Sequence, residues 1–315
     1  MDYQTGLVAI WERNIKFCLI VMLVIPSFCC TIFSLYHFNL RRFHSQIYGL
    51  LLLVNLLFFI TDLPFTLAFL YCGSIPVNKC TLWIFFNYLL ATLNILLMTW
   101  ASIERYLFIY HDSYIRRHIF ALHYMPTIVI ILYSIVYYVV VILLNSCQPS
   151  YNTYLYVCAG ACYQYEFKVG LIDVFIHGIL SVCIIFIINL TLILRHIVYI
   201  YRRKQRAIQI KKSHHWRRSI KLTAQLLTIS ILYLIVWIPY TTVVFLQMYN
   251  NTPFLTYLMS TFIVYLPYIM FFSLPFLCLL AMPDIKKKFF GLVDSPPRVI
   301  YNREKFGMVV IRNVE

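Results

Sequence analysis

The residues able to do chemistry in this chain are few, and each is set in apolar surroundings. Glu104-Arg105-Tyr106 lies at the end of a helix-length stretch, CTLWIFFNYLLATLNILLMTWASIERYLFIY, that opens at Cys80. A guanidinium is always charged, so Arg105 at the end of an apolar segment needs a partner, and Glu104 beside it can supply one. The helical rise over the residues from Cys80 to Arg105 is roughly 37 Å, which puts one at each face of a membrane. Asp62 lies inside a second apolar stretch, NLLFFITDLPF. A carboxylate at that depth is costly and must face either an internal cavity with its ligand or the bundle's own tyrosines. Asp173 and His177 stand near the start of a later apolar stretch. His214-His215 is an isolated pair in a basic segment, and neither a Cys/His ligand set nor a nucleophile elbow is present. Metal and hydrolytic chemistry therefore find no support, and the chain reads as a non-enzyme without cofactor.

The elements that must carry these residues are membrane spans. Apolar residues make up 62% of the chain and charged residues 12%, against about 25% charged in a soluble domain. The composition implies an all-α polytopic membrane protein. Apolar spans are expected at residues 14–36, 47–71, 80–110, 119–144, 169–200, 216–249 and 253–281, and no internal repeat relates them. A net charge of +15 raises nucleic acid as a partner, but the distribution of that charge excludes it. Twenty lysines and arginines lie in alternate connections and the C-terminal segment, while only Arg13, Lys16, Lys79 and Lys168 lie on the other side. The asymmetry predicts an outside N-terminus and a cytoplasmic C-terminus, with the basic run RRKQRAIQIKKSHHWRR facing anionic lipid or an acidic partner.

Residues 1–13 then form a short outer segment, 14–290 the membrane domain and 291–315 a cytoplasmic tail. In Trp237-Ile238-Pro239 the proline removes a backbone hydrogen bond and kinks the sixth span, with the tryptophan deep in the bundle. After Pro275 and Pro283, apolar Ile285, Phe289 and Phe290 alternate at helical spacing with three lysines. That segment predicts a short amphipathic helix on the inner leaflet. Cys72, Cys80, Cys147, Cys158 and Cys162 face the oxidising side, where disulfides persist, and their connectivity is open from sequence.

In order and on these faces, Cys80 to Arg105, Trp237-x-Pro239 and Pro275 with its following helix resemble the class A (rhodopsin-like) G-protein-coupled receptors, over roughly residues 14–290. The resemblance implies a seven-helix bundle with an amphipathic eighth helix, at the plasma membrane. It further implies that Glu104, Arg105 and Tyr106 receive a heterotrimeric G protein and that Trp237, Pro239 and Pro275 form the switch. Cys80 would pair with Cys158, or alternatively with Cys162. An extracellular ligand, a peptide being one candidate, would enter a pocket whose lining by position is Asp62, Phe86, Asn87, Tyr88, Tyr240 and Tyr268.

The chain also departs from the family. Asn55 stands in the place of the second helix's acid, so a sodium site is not expected, and the fourth span lacks its tryptophan, leaving Tyr133, Tyr137 and Tyr138 to fill the groove. The fifth span lacks its proline, and Leu274-Pro275-Phe276-Leu277-Cys278 replaces Asn-Pro-x-x-Tyr. The seventh span has no lysine for a retinal Schiff base, and Asn87 occupies the position where amine receptors carry a carboxylate. Before Pro239, the inner end of the sixth span offers Arg217, Arg218, Ser219 and Lys221 and no acid, so Arg105 is expected to be restrained by Glu104 alone. A seven-helix transporter or channel is the alternative, and a receptor-like protein that no longer signals is the third.

Overall fold

The computed structural model describes residues 2–38, 43–110, 117–118, 120–144, 151–205, 214–250, 252–281 and 291. Among them are seven helices long and apolar enough to cross a membrane: Ile10–Tyr36, Gln46–Cys72, Val77–Tyr110, Phe120–Leu143, Phe167–Arg195, Leu227–Tyr249 and Pro253–Leu280, here helices one to seven. No strand occurs among the described residues. The expected amphipathic helix, the tail, Cys147 and residues 206–213 of the basic connection lie outside the described residues.

Helix three is the axis. Its buried residues Cys80, Trp83, Leu90, Asn94, Leu97, Ala101 and Arg105 are spaced by three, four or seven positions, so one stripe faces the bundle from end to end. Helices two, four and five pack along it, and helix seven closes on helices one, two and six. Between helices two and seven the contact is aromatic: Phe58 stacks on Phe271 at 3.8 Å and 6°, and Phe59 on Phe272 at 6.0 Å. Ser27 of helix one donates to the Phe272 carbonyl at 2.8 Å.

Several irregularities aim the functional side chains, and most have a local cause. Helix two breaks at Asp62, between Phe43–Thr61 and Leu63–Cys72, because Pro64 has no N–H to continue the ladder. It ends at Gly73, whose φ of +82° and N–H to the Phe69 carbonyl at 2.7 Å make a left-handed cap. A Cβ there would also lie 2.2 Å from the tip of the flexible Arg13 side chain, which could move aside, so it is the positive φ that calls for glycine. Helix seven starts on a Thr252 cap with Pro253 behind it and narrows to a 3-10 turn at Ile263–Tyr265. Pro267, unable to donate to the turn before it, explains that step.

Helix five, which lacks the family's proline, is irregular all the same. Without a proline, the stretch Val174–Leu180 is π-helical. Gly178 inside it approaches helix six so closely that a Cβ would lie 2.7 Å from Thr241 Cγ2. Of the three tyrosines expected to fill the fourth helix's groove, Tyr138 is fully buried, while Tyr137 is half-buried and Tyr133 exposed.

Candidate functional site

The inner end of helix three holds Glu104, Arg105 and Tyr106. Glu104 and Arg105 are both buried. The Glu104 carboxylate meets Nδ1 of His123 on helix four, and Nε2 of the same ring lies 2.7 Å from Gln46 Oε1 on helix two. One imidazole thus spans helices two, three and four. The Arg105 guanidinium lies over the ring of Tyr48, 5.4 Å from its centroid. A buried cation over a ring contributes about 1–2 kcal/mol. Tyr106 is held from the other side by Arg195 of helix five, whose guanidinium is 5.3 Å from its ring and 4.6 Å from that of Tyr110. Glu104 was expected to be the arginine's sole restraint. The structure places Tyr48 against Arg105 and His123 against Glu104.

At the opposite end, Asp62 is completely buried. Its Oδ1 accepts from Trp83 Nε1 at 3.1 Å and Asn87 Nδ2 at 2.8 Å, and its Oδ2 from the Tyr268 hydroxyl at 2.7 Å. No cationic side chain is among these partners. The network runs on through Tyr268 to Thr66 at 2.6 Å and to Tyr156, in the loop between helices four and five, at 2.7 Å. Helices two, three and seven and the loop therefore converge on one carboxylate. Asn87, which stands where amine receptors carry their acid, has that acid 2.8 Å away on helix two.

The loop is fixed by a disulfide from Cys80 to Cys158, with Cα atoms 5.8 Å apart. Cys162 is disulfide-bonded separately. Around Cys158 the backbone is left-handed at Val157, Cys158 and Ala159, with φ of 48°, 51° and 74°, a conformation that costs an L-residue about 1–2 kcal/mol.

The six expected pocket residues do not form one cluster. Asp62, Asn87 and Tyr268 bond to one another as described. Tyr88 instead donates to Gln164 of the loop at 2.7 Å, Tyr240 packs edge-on against Trp237 at 5.3 Å, and Phe86 meets Phe85. Trp237 is buried, and its carbonyl accepts from Thr241 Oγ1 at 2.7 Å, one turn on, beside Pro239. Pro275 is buried in helix seven. Deeper still, the Tyr233 hydroxyl donates to Asn94 Oδ1. Trp83, His123, Tyr48 and Tyr156 were not singled out from sequence. Trp83, three residues after Cys80 on the buried stripe, carried the clearest signal.

A scan of known families places residues 28–276 in one of them, the 7 transmembrane receptor (rhodopsin family). The chain belongs to the rhodopsin family of receptors. No individual curated protein matches it. As a member of this family it is a multi-pass membrane receptor. The Cys80–Cys158 bridge and the buried Glu104-Arg105 pair therefore sit at the two ends of a receptor's third helix.

Proposed function

We propose that this rhodopsin-family receptor binds an extracellular ligand at the outer ends of helices two, three and seven and activates a heterotrimeric G protein through Arg105. The observation that carries the reading is a buried guanidinium at the inner end of the central helix, lying over the ring of Tyr48. A cation so placed can swing toward an incoming helix terminus, whose exposed carbonyls attract positive charge. The alternation of basic connections supports an outside N-terminus and a cytoplasmic tail, and membership of the receptor family supports residence in the plasma membrane. On the outer side, Asp62 is the charged group a ligand would engage, under the lid of Tyr156.

The test is G-protein activation in cells expressing the chain, per receptor at the surface, across a panel of peptides and small molecules. Arg105→Ala is expected to reduce activation to background. Equal activation by the wild type and this variant would overturn the proposal.

Two inner-face variants are expected to act with opposite sign. His123→Asn leaves Glu104 with Arg105 as the adjacent cation, tightening the restraint and lowering basal signalling about fivefold, the equivalent of about 1 kcal/mol. Glu104→Gln removes the acid and raises basal signalling by a similar factor. A ligand-free reporter assay checks both, and a shift of the same sign in the two would count against a competition for Glu104.

A further inference from the structure

Asp173 and His177 belong to neither site described above, yet they form a buried polar cluster with as many side-chain hydrogen bonds as the Asp62 network. His177 Nδ1 lies 2.7 Å from Asp173 Oδ1, one turn earlier on helix five, and both side chains are buried. The other ring nitrogen, Nε2, lies 2.9 Å from the hydroxyl of Tyr133 on helix four. Asp173 also accepts from Tyr138 at 3.3 Å and, through Oδ2, from Tyr163 of the second outer loop at 3.2 Å. Thr92 of helix three completes the chain with a 2.5 Å bond to Tyr138. Tyr133, Tyr137 and Tyr138 surround the imidazole with ring centroids at 5.6, 4.8 and 6.2 Å.

We infer that the Asp173–His177 pair is a proton-binding site through which acidity on the outer side biases the receptor. The imidazole itself fills the tyrosine cage, so the ligand this site can take is the smallest one. With Nδ1–H given to the carboxylate, the neutral ring can only accept at Nε2, and Tyr133 must donate to it. A proton arriving at Nε2 makes both nitrogens donors. Tyr133 must then reverse its hydroxyl and accept. The same proton converts a lone buried carboxylate charge into a neutral ion pair, and the tyrosine faces favour the imidazolium further.

The groups facing the ring can be named element by element. Helix three presents Thr92, and helix four presents Tyr133, Tyr137 and Tyr138. The loop presents Tyr163 to Asp173, helix five presents Asp173 itself, and Tyr240 of helix six lies within electrostatic reach of Asp173. Burial above all, with Tyr138 and Asp173 adding to it, holds the Tyr163 phenol well above its ordinary range, so Tyr163 stays a donor throughout. No lysine or arginine bonds to the pair among the described residues. Among these groups only the imidazole is of a type that ordinarily changes charge near neutral pH.

The position lets the charge be felt. His177 lies within the π-helical stretch Val174–Leu180, and π-turns are frequent at functional sites. Its neighbour Gly178 touches Thr241, which in turn bonds the Trp237 carbonyl next to Pro239. From the start of helix five at Phe167, His177 is about 15 Å along the helix. The outward direction of that end rests on the orientation proposed above.

Two measurements test the site. The first is the melting temperature of the purified receptor between pH 5.5 and 8.5, for the wild type, His177→Gln and Tyr133→Phe. The wild type is expected to gain several degrees on His177→Gln as pH falls from 8 to 6, and the gap between the wild type and Tyr133→Phe is expected to change with pH as well. If both gaps stay constant across the range, the proton site does not exist. Should His177→Gln fail to fold, the Tyr133→Phe gap decides alone, because that variant leaves the ring and its carboxylate in place. The second measurement is G-protein activation at external pH 6 and 8 with cytosolic pH held fixed. At least a threefold difference is expected in the wild type and none in His177→Gln. PH-dependent gaps in melting beside activation that ignores external pH would overturn the sensing role. PH-dependent gaps with no activation at any pH would uphold the site and place the failure in the coupling reading.

Discussion

Replacing Asp62 by alanine is expected to destabilise the receptor by about 3 kcal/mol or more, whereas Asp62→Asn should cost well under half of that. The alanine leaves three donors, the buried Trp83 Nε1–H and Tyr268 hydroxyl and the half-buried Asn87 Nδ2–H, without their acceptor, and each buried group so left costs about 1–3 kcal/mol. Asparagine keeps an oxygen for Trp83 and Asn87. Its amide then faces Tyr268, whose hydroxyl can turn to accept because it already touches Thr66 and Tyr156, either of which can take its proton. Melting of the purified receptor ranks the three chains. The same pair of variants separates structure from ligand binding. If a cationic ligand engages Asp62, Asp62→Asn holds near wild-type stability yet loses at least tenfold in ligand potency, since it keeps the hydrogen bonds and loses the charge. Equal melting of the alanine and asparagine variants would show that the hydrogen-bond network does not hold the outer end of the bundle together.

The two possible roles of Asp62 were legible as alternatives in the sequence, and the reason they stayed open is distance along the chain. Asp62 and Tyr268 are 206 residues apart, and no local pattern states that a carboxylate on helix two meets a phenol on helix seven. What was legible was local: seven apolar runs of spanning length and the proline kink of the sixth span. The π-helical stretch of helix five was not, because no local pattern marks it; Gly178 within it lies close against Thr241 on another helix. Only the absence of a proline hinted that something else must shape that helix.

The inner site illustrates the same limit from the other side. Glu104 and Arg105 are adjacent in sequence, which suggested that they restrain each other. Adjacent residues on a helix point about 100° apart, however, so each is free to find a partner on a different neighbour. Glu104 finds His123, 19 residues later, and Arg105 finds Tyr48 on helix two. A lone histidine in FALHYMPTIVI reads as an ordinary packed residue until its two ring nitrogens are seen facing oxygens on two other helices.

Breaking the outer bridge is expected to have the other large effect. Cys80→Ser and Cys158→Ser should each cut delivery to the cell surface several-fold, and the double variant should be no worse than either single one. The bridge spans 78 residues of chain, and such a cross-link typically contributes about 2–4 kcal/mol by restricting the unfolded chain. A second reason is local. Val157, Cys158 and Ala159 occupy the left-handed region in succession, an arrangement that L-residues adopt only where the surroundings impose it, at about 1–2 kcal/mol each. Cys158 is the middle residue of the three and the one tied to helix three, so its release lets the turn relax to ordinary backbone. Tyr156, two residues earlier, then loses its fixed approach to Tyr268, and the Asp62 network loses its lid. Ligand response per receptor at the surface should therefore fall as well, beyond the loss in delivery. Quantifying surface receptor and response separately in the three variants checks both parts. If the double variant were markedly worse than either single variant, each cysteine would have a role beyond the bridge; if the singles reached the surface like the wild type, burial alone would be enough to hold the left-handed turn.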